Sequence, residues 1–292
     1  MQIAIYGRIL PDEYKKDVFS LLEELRKTRV QVFLFHTFFL QYPEISAQFP
    51  NIQPFHTAEE LTGDTEFLLS LGGDGTILDT ITFVKKNNIP ILGVNFGRLG
   101  FLTGTSRENF SSAIEDLVNR NYIIDKRSLL HLEANIPLFD DAPFALNDFT
   151  ICKRDIDPMI RVHTFLNGEY INSYFSDGLI VSTPTGSTGY NMSCDGPILF
   201  PDAASFVLTP IAPHHLNTRP IIIQDDNVLS FEIESRSDNF LCTLDSRREI
   251  VHKNTQLAIR KENFKIKLIR FKENTFLSTL RNKLGWGIDK RN

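Results

Sequence analysis

The hydrophobic pattern changes its period near residue 128, and that change limits the fold more than any single motif. Before it, strand-like and helix-like runs alternate. IAIYG (3–7), VQVFLF (30–35), FLLSL (67–71) and IPILGVNF (89–96) read as strands, and residues 12–28, 76–86 and 106–120 read as helices. Val18, Leu21, Leu22 and Leu25 share one helical face, and Ser106 is placed to cap the third helix. A βαβα order predicts a parallel sheet covered by helices. From about 128 to 270 the runs are short, β-branched and divided by turn residues, without a long helical pattern. Such a series predicts a second, all-β domain, in which NGEY (167–170) reads as a hairpin turn. Helical spacing returns at 274–287 through Phe276, Leu277, Leu280 and Leu284. The expected division is 1–125, 126–271 and 272–292.

A length of 292 residues suffices for two such domains. The apolar fraction of 42% and charged fraction of 23% are those of a soluble globular chain, and no apolar run is long enough to span a bilayer. MQIAIYG starts a strand at once, with no basic region before it, so a cytoplasmic protein without a membrane partner is expected. The net charge of −5 argues against nucleic acid as a partner. Cys152, Cys194 and Cys242 are odd in number and show no CxxC or Cys/His metal spacing. Reduced thiols and no protein-built metal site are expected.

LGGDGT (71–76) joins a strand to a helix, where free amides and the helix dipole favour phosphate. It is neither a Walker loop, which needs a following lysine, nor a GxGxxG fingerprint. Asp74 is the puzzle, since a carboxylate repels phosphate. It fits as a metal ligand, an acceptor for a sugar hydroxyl, or the base for an attacking hydroxyl. The plain alternative is a tight turn in which Asp74 caps the helix.

DGLIVSTPTGSTGYNMSCDGPI (177–198) runs from a strand into glycines, small hydroxyls and Tyr190. That mixture suits ribose, phosphate and a ring face; Asp177 is a further acceptor. A Ser/Thr-stabilised turn is the alternative. ALNDFTICK (145–153) places Asn147 and Asp148 in an apolar strand, where they need partners such as a ribose diol, or else mark a strand end or bulge. NFGRLGFLTG (95–104) suits a phosphate-facing loop, with Arg98 as a charge, or a plain connection. In TPIAPHHLNTRPI (209–221), His214 and His215 are adjacent and do not form a metal pair, so the loop reads as structural.

Taken in order, GGDGT, NFGRLGFL, ALNDFTI, DGLIVSTPTGSTGYNMSCDGPI, TPIAPHHLNTRPI and LRNKLGWG resemble the NAD kinase family along most of the chain. GGDGT alone also occurs in diacylglycerol and sphingosine kinases; the 177–198 stretch is far more specific. The resemblance implies a Rossmann-like α/β domain, a β-sandwich-like domain with the site between the two, and a C-terminal helix that returns to the first domain. It implies transfer of phosphate from ATP, with Mg²⁺, to the 2′-hydroxyl of the adenosine ribose of NAD, in a homo-oligomer, commonly a dimer or tetramer. By the same resemblance, Asp74 receives the hydroxyl proton and Gly75 lets the dinucleotide approach. Asn147 and Asp148 hold NAD, and Asp177 stands near the nicotinamide end. Thr188, Gly189, Tyr190, Asn191 and Ser193 form the dinucleotide loop, Ala212 lies in the adjoining one, and Arg247 belongs to the site. Four positions depart from the family pattern. Asp148 replaces glutamate, Gly189 replaces alanine, Asp79 stands where a basic residue is usual, and LDSRR (244–248) replaces Asp-Gly-Gln. A lipid kinase and a non-catalytic NAD(P) sensor are the competing readings. The first would need a membrane-facing surface that the composition lacks, and the second would dispense with Asp74.

Overall fold

The computed structural model describes residues 2–61, 63–97, 100–154 and 157–286. Their contacts divide them into two compact units: those of 1–126 with those of 266–292, and those of 127–265.

The first unit is a parallel sheet flanked by helices. Across it the strand order is Leu257–Arg270 (through its last residues), Ile91–Asn95, Thr65–Gly72, Gln2–Gly7, Gln31–Phe35 and Gln53–Phe55. The central strands are covered on both faces, which is why they read as unbroken apolar runs. Ile3, Ile5, Leu34, Leu69 and Val94 meet Val18, Leu21, Leu22 and Leu25 of the helix Lys15–Lys27 in one core. That helix begins three residues later than its periodicity suggests, because Asp12–Tyr14 makes a 3₁₀ turn after Pro11. The connection from strand Gln2–Gly7 leads to one side of the sheet, to Gln31–Phe35. The connection from Thr65–Gly72 leads to the other side, to Ile91–Asn95. Their neighbouring carboxyl ends form a topological switch point, where open α/β sheets bind ligands. Helix Phe276–Leu284 is capped by Thr275 and buries Leu280, and its Lys283 ammonium lies over the Phe101 ring.

The second unit stacks two antiparallel sheets. One runs Ile221–Gln224, Ser205–Ile211, Gly178–Ser182, Asp148–Cys152, Asn239–Leu244, Arg247–His252. The other contains Glu169–Ser176, Ile160–Leu166, Leu229–Glu234 and the first part of Leu257–Arg270, with Ile123–Ala134 paired to the latter. Phe149, Leu179, Phe206 and Phe240 from one sheet share a core with Val162, Tyr174, Phe231 and Ile259 from the other. The NGEY turn is a hairpin whose Asn167 and Gly168 both take positive φ, 51° and 84°. Among the described residues no helix is long and apolar enough to cross a membrane.

Candidate functional site

In the first unit the site begins where strand Thr65–Gly72 ends. Gly73 is the N-cap of helix Asp74–Val84, and Asp74 is its first residue. The Asp74 side chain turns away from its own helix. Its Oδ2 accepts from the Phe101 amide at 2.7 Å, and its Oδ1 from the Leu102 amide at 3.0 Å. The cap alternative therefore fails. In the loop 95–104, read as phosphate-facing or as a plain connection, these two amides are aimed at a carboxylate. Arg98 lies outside the described residues. Gly100 makes the contact possible: a Cβ there would stand 1.8 Å from Asp74 Oδ1. Thr103 Oγ1 accepts from the Gly100 amide at 2.9 Å and holds the loop over the acid. Each carboxylate oxygen keeps a second lone pair for another donor.

Gly73 and Gly75 have no such neighbours. A Cβ on Gly73 would meet nothing within 4 Å, and one on Gly75 only Arg8 Nη1 at 4.0 Å. Among the described residues, side-chain packing does not demand glycine at either place. Asp79, one turn further along the helix, pairs with Arg8 at 2.5 Å.

The second unit brings Asn147, Asp148 and the 183–191 loop together. The Thr183 amide donates to the Asn147 carbonyl at 2.8 Å. Gly189 lies against both polar residues: its Cβ position is 3.8 Å from Asn147 Nδ2 and 3.9 Å from Asp148 Oδ2. Asp148 is buried, and burial, aided by the Asp245 carboxylate, pushes its carboxyl up to about 7. The Asp245 carboxylate accepts from three successive amides, Leu146 at 2.9 Å, Asn147 at 2.7 Å and Asp148 at 3.2 Å. Burial also raises its own carboxyl, against the lowering by these amides and Arg247. Asp245 thus fixes the backbone that carries Asn147 and Asp148.

Tyr190 opens a one-turn helix and exposes its ring. Burial raises its phenol, and Cys152, Cys194, Asp148 and Asp177 add to the shift. Asp177 sits at the far end of the same strand pair, where Gly178 faces Cys152 while Ser182 faces Asp148. Strand rise puts these two ends about 13 Å apart. Lys153 Nζ lies 2.9 Å from Asp177 Oδ1. All three cysteines are free thiols.

Other expected residues are placed differently. Asn191 is fully buried; its amide donates to the Ser187 and Pro197 carbonyls at 3.1 and 3.0 Å, and its oxygen accepts from Thr209 at 2.6 Å. It supports the loop from within. Arg247 donates to the carbonyls of Ala142, at 2.5 Å, and Phe144, between the rings of Phe139 and Phe144. Its guanidinium secures the chain before Asn147. Thr188 Oγ1 donates to the Thr185 carbonyl at 3.4 Å, and Ser193 is exposed. Ala212 holds φ at 44° beyond the end of strand Ser205–Ile211, a strained conformation of the kind that collects at ligand sites.

The motifs do not reveal the Phe101 and Leu102 amides or Arg8, and the LDSRR stretch (244–248) contains Asp245 without marking its role. Arg8 had one available signal, its place directly after the first strand of a parallel sheet.

A family model for the ATP-NAD kinase N-terminal domain matches residues 44–122, and one for the ATP-NAD kinase C-terminal domain matches 146–271. Fold and site thus define a two-domain kinase of the ATP-NAD type. NAD kinases from Cytophaga hutchinsonii and Flavobacterium psychrophilum are 45% and 44% identical to the chain, each over 100% of both sequences. The chain belongs to the NAD kinase family and is a phosphotransferase. An NAD kinase from Archaeoglobus fulgidus in complex with ATP is 26% identical, with a TM-score of 0.74 over 98% of this chain and 99% of that one. Yeast NADH kinase complexed with NADH has the same fold at 20% identity, with a TM-score of 0.88 over 99% of this chain and 89% of that one.

Proposed function

We propose that this chain transfers the γ-phosphoryl group of ATP to the 2′-hydroxyl of the adenosine ribose of NAD, and that Asp74 orients that hydroxyl and receives its proton. The observation that carries the reading is the Asp74 carboxylate, held by the amides of Phe101 and Leu102 beside Gly73 and Gly75, whose Cβ positions meet no packed side chain among the described residues. Family membership favours it over a lipid kinase or a sensor. In the step, the 2′-oxygen forms a bond to the γ-phosphorus and the bridging P–O bond to ADP breaks. The hydroxyl proton passes to Asp74 late, as a loose phosphoryl transfer allows. Positioning of the hydroxyl precedes its deprotonation in such a step.

In the second unit, Asn147 and Asp148 hold the ribose, Tyr190 lies against a ring, and Asp177 serves the distant half of the dinucleotide. Among the described residues no group of three or more His, Cys, Asp or Glu side chains is placed to hold a metal. Mg²⁺ fits as part of the ATP substrate, bound by phosphate oxygens and water. There it offsets phosphate charge. The C-terminal helix serves the first domain, and the protein works in the cytoplasm as a dimer or tetramer, which sedimentation of the purified chain would check.

A coupled assay for NADP tests the reading. NADP should form from NAD, ATP and Mg²⁺; no turnover with either ATP or polyphosphate as donor, and with NAD or NADH as acceptor, would refute it.

A pH dependence follows from Asp148. Its carboxyl is raised to about 7, so it is protonated below that pH and ionised above it. In the free protein its contribution to stability is complete below the ordinary value of 3.8 and is lost as pH rises through about 7. A ribose diol donates to the ionised form. The KM for NAD should therefore rise as pH falls from about 8 to 6, by up to about ten-fold per unit below the midpoint. Asp148→Asn should flatten this profile. An unchanged slope in the variant would remove Asp148 from the ribose site.

A further inference from the structure

We infer that Arg8, tethered by Asp79, is a phosphate-anchoring residue of the Gly73–Gly75 loop; this rests on the function proposed above. Arg8 is the first residue after strand Gln2–Gly7, and Gly73 follows strand Thr65–Gly72 directly. The two strands are parallel neighbours, with Gly7 opposite Leu71. Arg8 therefore stands at the switch point, beside the first turn of helix Asp74–Val84. Asp79 of that helix meets the guanidinium through Nε, at 2.5 Å. The fork end points elsewhere: Nη1 is 4.0 Å from where a side chain on Gly75 would begin. Among the described residues outside its own helical turn, no other atom comes that near to the Gly75 position.

Stability does not explain the pair. The Arg8 side chain is 54% exposed and that of Asp79 is 23% exposed. Surface ion pairs of this kind contribute little to stability. The Asp79 contact does fix the long Arg8 side chain, so less freedom is lost when its fork meets an anion. A guanidinium, helix-start amides and a glycine that leaves room for an oxygen together suit a phosphate group. They also separate duties at a site that must hold both an anion and a carboxylate. Arg8 and the amides receive phosphate, while Asp74 is turned toward the Phe101 and Leu102 amides and receives a hydroxyl.

The phosphate belongs either to ATP or to the pyrophosphate of NAD. Titration calorimetry with Mg·ATP and, separately, with NAD distinguishes them and does not require turnover. The samples are the parent protein, Arg8→Ala, Arg8→Lys and the double variant Arg8→Ala/Asp79→Arg. Arg8→Ala should weaken binding of one of the two ligands about ten-fold or more with Tm unchanged. Arg8→Lys should be intermediate, since it keeps the charge and loses the fork. The double variant should regain most of the affinity, because an arginine at position 79 starts from the other end of the same contact. Both affinities within about two-fold of the parent in Arg8→Ala would overturn the inference, as would a loss accompanied by a lowered Tm. A double variant no better than Arg8→Ala would also overturn it. Failure of the proposed function itself would appear separately, as a parent that binds nucleotide and makes no NADP.

Discussion

Asp74→Asn is expected to leave a folded protein whose kcat is lower by about 10²–10⁴-fold, the range for loss of a positioned general base. The substitution preserves size, so the contacts of helix Asp74–Val84 with the sheet should survive. One oxygen becomes an NH₂ group, however, while the parent carboxylate accepts from two amides, Phe101 and Leu102. One of those amides then faces a donor, at a cost of about 1–2 kcal/mol in stability. The larger effect is on chemistry, because an amide cannot take the proton from the acceptor hydroxyl. Affinities for ATP and NAD should change by no more than a few-fold. Steady-state kinetics beside a thermal melt would separate the two effects. Turnover above about a tenth of the parent value in a folded variant would exclude the proposed base.

Asp245→Ala should have the second large effect, on stability and NAD affinity together. The carboxylate accepts from the amides of Leu146, Asn147 and Asp148. Removing it leaves three amides to find water or remain unpaired, which costs about 2–4 kcal/mol. For a domain of this size that is roughly a 10 °C fall in Tm. Asp245 also holds φ at 53°, a conformation that alanine adopts less readily than aspartate or asparagine. Asp245→Asn should therefore recover part of the loss. The same variants reduce the charge beside Asp148, whose carboxyl is raised second by Asp245. Their NAD-binding profile should move to lower pH even where Tm is partly recovered. A Tm within about 2 °C of the parent and an unmoved profile would show that Asp245 does not position this strand.

How much of this was legible depended on the range of the interaction. The helix face of Val18, Leu21, Leu22 and Leu25 is local, and period alone located it. The change from mixed elements to strands near residue 128 located the second unit for the same reason. The strand read at 30–35 ends at Phe35, and a short helix without a signal of its own follows from His36. Asp74 was legible because a carboxylate inside a glycine turn conflicts with simple phosphate binding. What holds it was not, since a backbone amide at Phe101 or Leu102 leaves no mark on residue type. Arg8 and Asp79 are 71 residues apart and meet because the strands that precede them, Gln2–Gly7 and Thr65–Gly72, pair in parallel. Asn191, which the resemblance assigns to the dinucleotide loop, turns its side chain into the protein interior after Gly189, a direction that residue type does not reveal.

A crystal structure of the protein with NAD bound would test the role of Asp74 most directly. The 2′-hydroxyl of the adenosine ribose should lie about 2.6–3.2 Å from an Asp74 oxygen, with the Phe101 and Leu102 amides still in place. A ribose hydroxyl directed away from Asp74, with that carboxylate in contact with solvent alone, would contradict the mechanism.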